Sequence, residues 1–225
     1  MKLVMGSRAY SSWSLRPWLL LKHAGIPFEE EVLSFNAPDF KARARSYSPV
    51  GKVPVLVDGD LVIWDSLAIC EYVAERFPEK GLWPKEQRAR ARARSVCAEM
   101  HSGFQALRQN MPMNVTAHLP GRGWNLTVQR DIDRVTSLWA DCRARFGAGG
   151  PFLFGAFSVA DAYFAPVVTR FTTYGVALPD DARAYVDTIT ALPAMKAWVE
   201  AARADRDYVE EDEPYRTREQ AGLGS

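Results

Sequence analysis

The sequence predicts an α/β domain followed by an all-helical one, and three observations carry that reading. The first 80 residues alternate short apolar runs with helical patterns in the order β-α-β-α-β-β-α, which implies a mixed sheet flanked by helices. A β-hairpin signal closes that sheet. After Pro84 no convincing strand occurs and five helical segments follow.

The elements follow in chain order. Lys2 to Met5 is a short apolar strand and Gly6 to Ser12 a polar loop. From Ser14 the run SLRPWLLLKHAG reads as a helix, with Pro17 in its first turn and Gly25 just past its end. Phe28 to Leu33 is a second strand interrupted by acidic residues, and Asn36 to Ser48 is irregular or weakly helical. Val53 to Val57, containing Pro54, and Leu61 to Trp64 flank the tight-turn pair Asp58-Gly59, as in a hairpin. Ser66 is a plausible N-cap for the helix LAICEYVAERF, which offers Leu67, Ile69, Cys70, Val73 and Phe77 to a buried face. Pro78, Gly81 and Pro84 then cluster at a domain boundary near Lys80 to Lys85, giving domains over 1–80 and 86–210. Helices are expected over 86–110, 127–146, 158–174, 181–190 and 193–203, and a polar, mobile tail from Glu211.

Composition narrows the function. The 225 residues carry 28 Lys and Arg against 27 Asp and Glu, a net charge of +1 that gives no broad electrostatic reason to bind nucleic acid or membrane. Arg88, Arg90, Arg92 and Arg94 are spaced by two, which spreads them around a solvated helix. No apolar run reaches the roughly 18 residues of a spanning helix. Cys70, Cys97 and Cys142 show no metal spacing, so no metal is expected. Their odd, sparse number suits a reducing compartment, and the protein is expected in the cytoplasm.

Three local features carry the chemistry. A cis Val53-Pro54 bond would turn the backbone and expose the Val53 N–H and C=O to a ligand. Asp65-Ser66 stands at the mouth of a helix, where unpaired N–H groups and a partial positive charge can hold a ligand carboxylate and Asp65 can meet an ammonium; an ordinary helix cap explains the pair equally well. The loop Tyr10-Ser11-Ser12-Trp13-Ser14 precedes the first helix, where a hydroxyl could stabilise a thiolate, or a serine could simply cap. His23, His101 and His118 fall into no recognisable constellation, and His23 reads as a helix C-terminal cation facing solvent.

Taken in order, these features resemble the glutathione transferase superfamily over nearly the whole chain. YSSWSLRPWLLLKHAGIPFEE resembles the first strand-loop-helix-strand of its serine-type classes, as in zeta-like and tau-like bacterial members. SPVGKVPVLVDGDLVIWDSLAICEYVAERFP resembles its glutathione-binding half, in which the proline is cis. FSVADAYFAPVV resembles the buried capping box of its second domain, with Ser158 as cap and Asp161 at N3. The resemblance implies a thioredoxin-like N-terminal domain, a C-terminal helical bundle and a homodimer. It implies glutathione as co-substrate and attack of its thiolate on a small hydrophobic electrophile.

Residue by residue, Ser11 matches the thiolate-stabilising serine, followed by Arg16 five places on, with Ser12 as the alternative. Val53 would meet the cysteinyl backbone of glutathione beside Pro54, Asp65 and Ser66 its γ-glutamyl end, and Lys52 its glycyl carboxylate. Trp13 departs from the zeta-like pattern, which has cysteine there, and this argues against maleylacetoacetate isomerase chemistry. No cysteine lies in the loop, which argues against thiol–disulfide chemistry and leaves a peroxidase side activity open. The Trp13–Trp18 pair and the segment Pro112 to Trp124 suggest an apolar wall to the second substrate site. A non-catalytic binding module on the same fold is the competing reading.

Overall fold

The computed structural model describes residues 1–223. Four strands, β1 (Lys2–Gly6), β2 (Glu29–Leu33), β3 (Val55–Asp58) and β4 (Leu61–Ile63), form one sheet in the order β2-β1-β3-β4. β1 runs parallel to β2 and antiparallel to β3, with Lys2 opposite Glu29 and Val4 opposite Val55. The tight turn at Gly59 joins β3 to β4 as an antiparallel hairpin. Successive side chains of β1 face opposite ways. Leu3 and Met5 therefore join the main core with α1 (Ser12–His23) and α3 (Ser66–Arg76), while Val4 packs with Leu33, Val55 and Ala44 of α2 (Phe40–Tyr47). The acidic β2 is tolerated because it is an edge strand. Glu30 pairs with Arg8 and Lys22, and Glu31 with Lys2 and Arg43.

From Gln87 onward the described residues form helices joined by loops, with only two isolated β-bridges over 152–156: α4 (Gln87–Ser102), α5 (Gln105–Asn110), α6 (Leu126–Phe146), α7 (Val159–Thr173), α8 (Asp180–Ala191) and α9 (Pro193–Ala204). α7 is apolar on nearly every face, and all its residues but Thr172 are buried, as expected of a central helix. It packs against α1, α4 and α8, so the two parts of the chain share one continuous core. Ser158 opens α7. Asp161 accepts from the Ser158 N–H at 2.9 Å and its hydroxyl at 3.0 Å, from the Leu153 N–H at 3.1 Å and from the Tyr185 hydroxyl at 3.0 Å.

Several expectations need correction. α1 begins at Ser12 rather than Ser14, so Pro17 lies inside the helix and has no N–H to offer the Trp13 carbonyl. The helix expected over 86–110 breaks at Gly103–Phe104. A Cβ on Gly103 would sit 2.9 Å from the Glu99 carbonyl, and Phe104 takes a left-handed φ of 60° that buries its ring. Asp65, not Ser66, caps α3. His23 stands exposed in the last turn of α1, as expected, and also stacks on Phe157 at 3.8 Å, where partial burial lowers its pKa.

The described part of the tail from Glu211 folds back over the molecule rather than standing free of it. The buried Glu213 carboxylate accepts from the Tyr10 hydroxyl at 2.7 Å and pairs with Arg216, and the Tyr215 hydroxyl donates to the Asn110 carbonyl at 2.7 Å. A polar sequence stays ordered when its charges find partners on the body.

Candidate functional site

The cleft between the sheet domain and the helices holds two adjoining cavities of about 380 and 400 Å³ that share Trp13, Lys52 and Val53. The first also includes Pro54, Asp65, Ser66 and His101; the second includes Ser11, Ser12, Arg108, Arg170 and Asp212. A larger recess of about 1080 Å³ beside Trp83, Arg88 and Phe146 shares none of these residues. We take the paired cavities as the site, because every chemically suggestive group from the loop, the hairpin and the α3 terminus converges there. Ser158 and Asp161 lie outside both cavities.

The loop after β1 delivers the serines. Ser11 caps α1: its Oγ accepts from the Ser14 N–H at 3.4 Å and donates to Ser14 Oγ at 2.7 Å. Ser12 is the first residue of the helix, and its hydroxyl makes no hydrogen bond among the described residues. The α1 N-terminus therefore brings two hydroxyls to one cavity wall, and of its first N–H groups only that of Trp13 lacks a hydrogen bond among the described residues.

The hairpin and α3 form the facing wall. The Val53-Pro54 peptide is cis, and Val53 stands before β3 outside the ladder, so its main-chain polar atoms are not used by the sheet. Asp65 Oδ1 accepts from the N–H groups of Leu67 and Ala68 at 3.0 and 3.4 Å, while Oδ2 lies 3.1 Å from His101 Nε2. The Ser66 N–H makes no hydrogen bond among the described residues, and Ser66 Oγ lies 3.0 Å from the Tyr163 hydroxyl.

The helices add groups that local sequence patterns missed. His101, in the last turn of α4, contacts the Tyr163 hydroxyl through Nδ1 at 2.8 Å and meets the Trp13 ring edge-on at 5.2 Å. Burial pushes the Tyr163 phenol up, which keeps it neutral. Three guanidinium groups gather behind this wall. Arg16 is buried between the rings of Trp13 and Tyr163, at 4.2 and 4.5 Å from their centroids, and donates through Nε to the Tyr163 carbonyl. Its Nη1 and Nη2 have no hydrogen-bond partner, so aromatic faces provide the contact.

Arg108 bonds the carbonyls of Gly103 and Met100, and Arg170 those of Met111 and Pro166. All three spend their hydrogen bonds on main-chain carbonyls, and among the described residues none has a carboxylate within ion-pair distance. Burial lowers the pKa of Arg16 to about 10 and that of Arg170 to about 9, Arg170 also feeling its two cationic neighbours. Both remain charged near neutrality. Asp212, from the folded-back tail, is pushed up to about 6 by burial, against the pull of Arg170.

One sequence signal could have found Arg170: a charged residue in an otherwise apolar helix marks a buried charge that must have a reason. His101, Arg108 and Asp212 have no such signal. The aromatic wall is also narrower than expected. Trp13 lines both cavities, with Pro112 and Met113, but Trp18 is buried against Trp198 at 4.9 Å and Trp124 projects outward. Three of the four arginines in the run on α4 find partners within the molecule: Arg94 pairs with Glu71, Arg92 with Asp141, and Arg90 donates to the Pro84 and Lys85 carbonyls, while Arg88 is exposed. The three cysteines are free and buried, and burial raises each thiol. Among the described residues no cluster suits a metal ion, and no helix is long and apolar enough to cross a membrane.

Comparison with known proteins agrees with this architecture. Glutathione S-transferase 1 of Dianthus caryophyllus is 28% identical over 183 residues, 78% of this chain and 80% of that protein. Glutathione S-transferase Z1 of Arabidopsis thaliana is 27% identical over 206 residues, 87% of this chain and 90% of its own. A glutathione transferase homologue from Burkholderia GL BGR1, solved with bound glutathione, superposes with a TM-score of 0.68 at 23% identity, covering 91% of this chain and 98% of that one. The family model for the N-terminal domain of glutathione S-transferases matches residues 10–76 and that for the C-terminal domain residues 125–201, so most of the cleft-forming sequence is accounted for and the chain belongs to the glutathione S-transferase superfamily.

Proposed function

We propose that the protein is a cytoplasmic glutathione transferase. In it, residues 1–80 bind glutathione, residues 86–210 face the second substrate, and the α1 N-terminus stabilises the thiolate. The observation that carries this reading is the convergence of Ser11, Ser12, Val53, Asp65 and Ser66 on two cavities that share a wall.

The Val53 main chain beside Pro54 would align the cysteinyl residue as an added strand. The Ser66 N–H at the start of α3 suits the α-carboxylate, Asp65 the ammonium, and Lys52 the glycyl carboxylate. The sulfur then faces Ser11 and Ser12. Ser11, the residue matched by the family motif, turns its hydroxyl from Ser14 to the sulfur, and Ser12 supplies a second donor. Donors fixed before the anion forms favour thiolate over thiol, and the buried arginines add positive potential.

The second substrate meets a mixed surface. Trp13, Pro112 and Met113 suit an apolar body, while Arg108 and Arg170 favour an electrophile that also carries a negative charge. This modifies the purely hydrophobic electrophile that the resemblance implied. A homodimer is part of the same proposal: Leu61 and Trp64, each about half exposed at β4, are apolar surface that a second copy would cover. Sedimentation would test it.

Titrating bound glutathione from pH 5 to 9 while following thiolate absorbance in the ultraviolet tests the central claim. A thiol pKa lowered by more than a unit on binding supports transferase chemistry. Saturable binding with no shift indicates a non-catalytic binding module, and no binding removes the proposal.

A further inference from the structure

We propose that His101 is the positioning residue of the γ-glutamyl subsite, holding both Asp65 and Ser66 in the orientation that recognises an ammonium group. The inference rests on glutathione binding as proposed above.

Hydrogen-bond direction fixes the role of each group. Asp65 Oδ2 offers only lone pairs, so the His101 Nε2 that stands 3.1 Å from it must carry a proton, since a bare nitrogen lone pair there would be repelled. In a neutral imidazole that places the proton on Nε2 and leaves Nδ1 an acceptor. Nδ1 lies 2.8 Å from the Tyr163 hydroxyl, which must then donate to it. The Tyr163 oxygen is left to accept from Ser66 Oγ, 3.0 Å away. The chain runs Ser66 to Tyr163 to His101 to Asp65, each hydroxyl with one proton and one direction.

Two consequences follow at the cavity. Asp65 is fixed, with Oδ1 tied to α3 through two N–H groups and Oδ2 tied to α4 through His101. Ser66 Oγ, its proton committed to Tyr163, presents lone pairs. Both side chains at the head of α3 are therefore acceptors, and the donor beside them is the Ser66 N–H. That is the complement of an α-amino acid head group: acceptors for the ammonium, a main-chain donor for the carboxylate. A side chain from the helical domain thus sets the polarity of a subsite otherwise built by the sheet domain. The Trp13 edge at 5.2 Å and the Arg16 guanidinium between Trp13 and Tyr163 hold the imidazole and phenol rings from behind.

The test compares glutathione with glutaryl-cysteinyl-glycine, which differs only in lacking the ammonium, by calorimetric titration of the full chain. Replacing His101→Ala should weaken glutathione by about tenfold and the analogue by less than about twofold. His101→Gln, whose amide can reach where Nε2 stands, should recover glutathione binding to within about threefold of the native protein. Tyr163→Phe, which frees Ser66 but leaves the His101–Asp65 pair, should give a smaller loss in the same sense, and serves if His101→Ala does not fold. Equal weakening of both ligands in these variants, or no change in either, overturns the assignment. A native protein that binds glutathione normally while the variants fail to discriminate overturns this inference alone; a native protein that binds neither ligand overturns the proposed function with it.

Discussion

The two cavities of the cleft are built differently. The wall proposed for glutathione comes from residues close together in sequence: Lys52, Val53 and Pro54 before one strand, Asp65 and Ser66 at the start of the next helix. Main-chain groups and one helix terminus do most of its work. The second cavity is assembled from Ser11, Ser12 and Trp13 on α1, Arg108 on α5, Pro112 and Met113 after it, Arg170 on α7 and Asp212 in the tail. A wall made of backbone is constrained by turn and cap chemistry, so its pattern is local. A wall made of converging side chains is constrained only by packing, and its residue types can change independently.

Mutations can break or sharpen this contrast. The largest expected effect is in the second cavity, at the α1 N-terminus beside the shared Trp13. Ser11→Ala should lower kcat/KM by about 10²–10³, the usual cost of losing one preorganised donor to an anion, with glutathione affinity nearly intact. Steady-state kinetics checks it, and greater damage from Ser12→Ala would move the principal donor one residue along the turn.

Next is the structural contrast to both walls. Asp161→Ala strips a buried carboxylate that satisfies Leu153, Ser158 and Tyr185 at once, so about 3 kcal/mol should be lost, more than an isolated cap contributes. Denaturant unfolding measures it; a loss under about 1 kcal/mol would mean the freed donors find water or other partners.

Within the second cavity, Arg108→Met keeps much of the side-chain volume but removes the charge. It should reduce the preference for an anionic over a neutral electrophile by about tenfold, while binding of glutathione changes little. Competition between paired substrates reads this directly, and an unchanged ratio would leave the cavity's charge without a role in selection.

The smallest effect concerns the tail. Asp212 has a folded pKa of about 6, above the 3.8 of an ordinary aspartate, because it is buried. The folded state therefore holds its proton more tightly than the unfolded one. Its contribution to stability is most favourable below pH 3.8 and is lost as pH rises through about 6. Asp212→Asn should raise the melting temperature at pH 7, by about 2–4 °C for each kcal/mol recovered. It should also flatten the stability profile between pH 4 and 6. A profile identical to that of the native protein would show that Asp212 ionises freely in the folded state.

The sequence alone determined the layout that local chemistry enforces. The succession of strands and helices along the first 80 residues, the hairpin around Asp58-Gly59, the succession of helices after Pro84 and the pairing of Ser158 with Asp161 all depend on residues within a few positions of one another. Turn geometry, caps and the period of apolar residues act over that range. It also placed Ser11, Ser12, Val53, Asp65 and Ser66 in candidate roles, because each stands at a helix terminus or a strand entry, where the regular hydrogen-bond pattern of the element begins.

Tertiary structure decided what these residues face. No spacing rule connects His101 to Asp65, Tyr163 to Ser66, or Arg108 to Arg170: the first two pairs meet only when α4 and α7 pack against the sheet domain, and the two arginines reach one cavity only when the helices pack together. The same holds for the tail: Glu211 onward is polar enough to look solvated. Glu213 nevertheless lies buried against Tyr10, because burial depends on partners brought from the far end of the chain and not on the residue's own affinity for water.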